Sequence, residues 1–135
     1  MNAKMELVQN WLIKAQHDLA AARKLAAGPD PYLDVAVYHC QQAAEKAVKG
    51  FLVFHDQPFE RTRDVEVLVA LAVPFEAGFP EWTEAAALLT PYATEFRYQS
   101  SLLEPSRDEF SQVLEAASGL YAFVLSLLPS DLHPS

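Results

Sequence analysis

His39, Gln42, Glu45, Lys46 and Lys49 fall within a single stretch, VYHCQQAAEKAVKGFL, residues 37–52. An imidazole can accept or release a proton near neutral pH. Ammonium groups three residues apart can share the charge of a phosphate. Arg61, Arg63 and Arg97 could bring guanidinium groups to the same place and so build a local basic pocket. The same residue types also suit an internal role. Glu45 and Lys49 have the spacing of an i,i+4 ion pair, and His39 and Gln42 could tie their helix to a neighbour, with Asp18 as a partner.

Other chemistries fail on spacing. Di-iron bundles need Glu-x-x-His pairs on two helices, and no glutamate here precedes a histidine by three. His17, His39, His55 and His133 are never three or four apart, so no helix offers a two-histidine metal face. Gly28, Gly50, Gly78 and Gly119 are isolated, which removes the P-loop and the dinucleotide fingerprint. We therefore expect no metal and no cofactor. Ten lysines and arginines against eighteen acids, a net charge of −8, oppose broad nucleic-acid binding, which depends on neutralising phosphates.

The elements that position these residues read as helices. Val8, Leu12, Ala15, Leu19, Ala22 and Ala26 form an amphipathic stripe that Gly28-Pro29-Asp30-Pro31 ends. A second helix is predicted from about Pro31 to Phe54, with Asp30 as its cap. Leu33, Ala36, Val37, Cys40, Ala43, Ala44, Ala47, Val48 and Phe51 share an arc of roughly 140° on it. Cys40 lies mid-arc, where a thiol behaves as a small hydrophobe. His39, Gln42, Lys46 and Lys49 form a strip on the other side. Thr62 or Asp64 should cap a short third helix to about Leu71. A fourth begins near Glu81, with Ala85, Leu88, Leu89, Tyr92 and Phe96 on one side, and either kinks at Pro91 or restarts there with Thr90 as cap. A last helix spans about Pro105 to Leu128.

The expected fold is all-α, an antiparallel up-and-down bundle of about five helices over residues 1–129, with 130–135 a flexible tail. No apolar run approaches the roughly 20 residues of a membrane span. Lys14, His17 and Asp18 interrupt the opening segment, so no secretory leader is expected. With one cysteine and so no internal disulfide, a cytoplasmic location is expected.

WLIKAQHDLAAA, HCQQAAEKAVKGFLVFHDQPFERTRDVEVLV and LTPYATEFRYQ together resemble the HEPN domain (higher eukaryotes and prokaryotes nucleotide-binding). The correspondence covers nearly the whole chain, with Lys46 and Lys49 on the two lysines of the family's second helix. The resemblance implies a helical bundle, usually a homodimer, and a small nucleotidyltransferase as partner in a toxin-antitoxin-like pair. It also implies a nucleotide site drawn from His39, Gln42, Lys46, Lys49, Arg63, Arg97 and Tyr98, with Tyr38 or Tyr98 stacking on the base.

Ribonucleases of this family carry an arginine followed, after four to six residues, by a histidine. Arg97 is followed at those positions by Leu102, Leu103 and Glu104, and no histidine in the chain has an arginine at the required distance before it. Arg63 stands where a turn histidine is expected, and Gln99-Ser100 replaces Pro-Asp. The chain is accordingly expected to be noncatalytic, with no catalytic residue assigned. The alternative is a divergent metal-independent ribonuclease pairing Arg97 with His39 or His55 from another helix. Val35, Leu52 and Val53, interleaved with the polar strip, suit a dimer interface.

Overall fold

The computed structural model describes residues 1–93 and 104–135. Five α-helices form an antiparallel bundle: α1 (Ala3–Ala26), α2 (Leu33–Phe54), α3 (Val65–Ala72), α4 (Thr83–Leu89) and α5 (Arg107–Ser126). Single 3₁₀ turns lie at Val73–Phe75, Phe79–Trp82, Thr90–Tyr92 and Ser130–Leu132.

In α1 the side chain of Asn2 accepts from the Met5 amide at 2.9 Å, while Glu6 in the first turn and Arg23 and Lys24 in the last match the helix dipole. Its predicted stripe is buried throughout. Gly28, at φ +83°, turns the chain. Arg107 then fastens that turn to α5 by donating to the carbonyls of Ala26 and Gly28, at 3.3 and 3.2 Å.

The second helix begins at Leu33 rather than Pro31, and Asp30 does not cap it. Tyr32 holds the cap position without a side-chain bond. The Tyr32 amide donates instead to the Leu25 carbonyl at 2.8 Å, a fold-back onto α1 that keeps residues 30–32 out of the helix.

Every residue of the predicted apolar arc of α2 is buried. The helix is central, packed against α1, α5 and α3, and its other side is largely covered as well. Gly50 permits a close crossing, since a β-carbon there would stand 3.2 Å from Trp11 Cβ. At the end of α2, His55 lies among Phe51, Phe54 and Phe75, with ring centroids 4.5, 5.2 and 4.9 Å away. Burial, and then the nearby Lys4 ammonium, hold its imidazole below the ordinary histidine range.

Asp64 caps α3 as its spacing predicts, accepting from the Glu66 and Val67 amides at 2.9 and 3.4 Å. The fourth helical region is more broken than its periodicity suggests. Thr90 Oγ1 donates back to the Ala86 carbonyl at 2.9 Å, and α4 gives way to a 3₁₀ turn containing Pro91, which has no amide hydrogen to continue the ladder. Ala86 and Leu89 are its buried residues, whereas Leu88 is 38 % exposed. Phe96 lies outside the described residues. Ser106 caps α5, accepting from the Glu109 amide at 3.0 Å, and Phe110, Val113, Ala117, Leu120 and Val124 form its buried stripe. After Pro129, where the sequence suggests a loose tail, the chain makes one more turn that seats Leu132 in the core.

Replacing Asp64 with Ala should cost about 1 kcal/mol, the usual worth of such a cap, and Asp64→Ser much less. The midpoint of urea unfolding at unchanged slope is the measurement. An Asp64→Ala midpoint equal to the parent's would show that the cap contributes nothing.

Candidate functional site

The polar strip of α2 divides into a buried part and a part that reaches the surface. The buried part contains Gln41, Gln42, Glu45 and Lys49, each less than a tenth exposed. Gln42 and Lys49 therefore do not face outward as a helix with one apolar side would place them. The reason is a second cover: the Lys49 ammonium lies 5.6 Å from the Trp11 ring centre and 5.7 Å from that of Phe59.

Within this enclosure the hydrogen bonds close on themselves. Lys49 Nζ donates to Glu45 Oε2 at 3.1 Å, the ion pair expected from their spacing. Gln42 Nε2 donates to Gln41 Oε1 at 2.7 Å, and Gln41 Nε2 donates to the Arg63 carbonyl at 2.6 Å. Both amides also reach Glu45 Oε1 at 3.4 Å. Among the described residues no buried side-chain nitrogen or oxygen lacks a partner.

The second part is a cluster between α1 and α2. His39 Nδ1 stands 2.8 Å from Asp18 Oδ1, and Lys46 Nζ donates to Asp18 Oδ2 at 2.6 Å. The side chain of Asp18 is only 10 % exposed, against 29 % for His39 and 22 % for Lys46. An ionised carboxylate can only accept, so Nδ1 must carry the proton of this bond and Nε2 is the ring nitrogen left for other contacts. Asp18 is the tie between helices that the sequence offers. Its signal is position: Ala15, Asp18 and Ala22 share a stripe, and an acid on a buried stripe needs cationic or donor partners.

The surface strip continues beyond this cluster. The Tyr38 ring meets that of His39 edge-on at 5.5 Å, and the Arg63 guanidinium donates to Tyr38 Oη and to the Ala93 carbonyl, both at 3.3 Å. Lys46, His39, Tyr38 and Arg63 are thus brought together, with Gln42 and Lys49 beneath the surface. Arg97 and Tyr98 lie outside the described residues. Sequence reasoning missed Gln41, whose place at the edge of the apolar arc gives no hint that its amide reaches a loop carbonyl. It also missed Trp11 and Phe59 as the cover of Lys49.

The strip can supply two cations, an aromatic face and a histidine oriented by a carboxylate. Cys40 adds no nucleophile, because burial pushes its thiol up to about 12. Among the described residues no group of three or more His, Cys, Asp and Glu side chains is placed to hold a metal ion.

Comparison with known proteins agrees with this architecture. A family model, the HEPN domain, matches residues 8–127. A crystal structure of a protein from Thermus thermophilus superposes with a TM-score of 0.75 at 29 % identity, covering 90 % of this chain and 98 % of that one. An archaeal HEPN homologue superposes with a TM-score of 0.68 at 24 % identity, covering 89 % of this chain and 96 % of its own, a likeness of fold. No curated protein matches the sequence.

Replacing Glu45 with Ala strands the Lys49 ammonium in its enclosure and should cost about 3–5 kcal/mol. Adding Lys49→Met should restore much of that loss, since the orphaned charge is gone. Denaturant unfolding of the single and double variants checks this, and a cost in Glu45→Ala below about 1 kcal/mol would mean that water reaches Lys49.

Proposed function

The chain belongs to the HEPN domain family, and on that footing we propose that it is a noncatalytic, dimeric HEPN module that acts with a nucleotidyltransferase partner and holds a nucleotide on the α1–α2 polar strip. The observation that carries the reading is the Lys46–Asp18–His39 cluster continuing through Tyr38 to Arg63. Lys46 and Arg63 would bind phosphate oxygens, Tyr38 would offer its ring to the base, and His39 would donate or accept through Nε2. Gln42 and Lys49 act from below, keeping the helix rigid through Glu45. Arg97 and Tyr98 complete the proposed set as a further cation and a further stacking ring. The fold family supports the dimer, since HEPN domains often dimerise, and the missing Arg-to-His spacing supports a noncatalytic role.

A second reading rests on the Asp18–His39 contact. A histidine oriented through Nδ1 by a carboxylate is arranged to accept a proton at Nε2. On this reading His39 takes the 2′-hydroxyl proton of an RNA while Arg97 stabilises the charge developing on the phosphate.

Titration with ATP and GTP distinguishes the readings. The binding reading expects saturation that weakens about tenfold or more in Lys46→Ala or Arg63→Ala, the loss of one charge-assisted hydrogen bond, with no cleavage of RNA by the parent chain. Absence of binding at millimolar nucleotide overturns the nucleotide site and leaves the protein-partner role. RNA cleavage that disappears in His39→Ala overturns the noncatalytic reading.

A further inference from the structure

Charge is distributed very unevenly along this chain. From Asp64 to the C-terminus there are two arginines, Arg97 and Arg107, against eleven acidic residues. Between Asp64 and Phe96, and again between Asp108 and Leu132, there is no lysine, arginine or histidine at all. Arg107, the one of these arginines within the described residues, directs its guanidinium to the backbone carbonyls of Ala26 and Gly28 at the end of α1.

This acidic half carries a groove between α4 and α5. Trp82, Ala85, Leu88 and Ala116 give it an apolar lining, and Glu84 and Glu115 stand one on each helix beside it. Both glutamates are exposed, and Leu88 is 38 % exposed. The floor is firm. A β-carbon at Gly119 would stand 2.9 Å from the Trp82 ring, so the indole lies directly on the backbone of α5. Phe123, one turn further along α5, also meets that indole, with ring centroids 5.5 Å apart.

We infer that the α4–α5 groove is a docking site for a cationic amphipathic helix of a partner protein. A channel between two helices accepts the side-chain ridge of a third, and the apolar lining calls for aliphatic side chains on that ridge. A carboxylate on each wall, with no cation on α4 or on the facing surface of α5, calls for lysine or arginine beside the ridge. The site lies apart from the α1–α2 strip, and none of its residues belongs to the nucleotide reading.

The test uses the full chain and a fluorescein-labelled helical peptide of about 18 residues, with leucines at i, i+3, i+4 and i+7 spacing and lysines alongside. Fluorescence anisotropy should show saturable binding that weakens as salt rises. The paired substitutions Glu84→Lys and Glu115→Lys should weaken it about tenfold or more. Leu88→Asp should weaken it as well, both variants keeping the helical circular dichroism of the parent. The same peptide with glutamate in place of lysine should not bind. Equal binding of the two peptides, or undiminished binding by the Glu84→Lys, Glu115→Lys chain, overturns the inference. Self-association of the parent chain that those same substitutions abolish would also overturn it, by assigning the groove to a second copy.

Discussion

A helix covered around most of its circumference has to satisfy its buried polar groups from within the bundle, and α2 is such a helix. Its apolar arc packs on α1 and α5, and Trp11 and Phe59 close over Lys49 on the other side. Removing Lys49 and Glu45 from water costs several kcal/mol per ion even after relaxation. The ion pair, the two glutamine amides and the flanking aromatic rings offset that cost. Geometry then follows from the need for satisfaction: Gln41 must meet the Arg63 carbonyl, so the loop before α3 is drawn to the flank of α2.

The same constraint decides which groups can serve a ligand. Lys49 is committed to Glu45, and Gln42 to its neighbours. Lys46 and His39 share Asp18 yet keep part of their surface, because the α1–α2 crossing covers the carboxylate more than its partners. A ligand at this strip would meet a Lys46 ammonium already paired with Asp18, which lowers its pull on phosphate while fixing its position. The gain is preorganisation rather than net charge. It fits a chain whose overall charge of −8 offers nothing to a polyanion at long range.

Apolar periodicity made most of the fold legible. The stripes of α1 and α2 are buried as their periodicity requires, Asp64 caps α3, and Glu45 and Lys49 pair as their spacing requires. Periodicity reports one apolar side of a helix and is silent about a second cover, so the burial of Gln42 and Lys49 was not readable. Nor was the Leu33 start of α2, which depends on a backbone bond from Tyr32 to Leu25. The end of α4 just ahead of Pro91 follows from that residue's missing amide hydrogen, and the sequence leaves open only whether the chain kinks or restarts there. Of the site, Asp18 could be seen from its place on a buried stripe. The carbonyl partner of Gln41 could not, because a backbone acceptor has no sequence signature.

The enclosure of α2 can be read directly at the Lys49 ammonium group. In proton–nitrogen spectra of lysine side chains, ammonium protons held in a protected ion pair exchange slowly enough to be seen, while those of solvated lysines are lost to exchange with water. A Lys49 signal should be observable, with exchange much slower than that of Lys14 or Lys24 on the exposed face of α1. Exchange at Lys49 as fast as at those two residues would mean that water occupies the space assigned to Trp11 and Phe59, and the closed network around Glu45 would not exist.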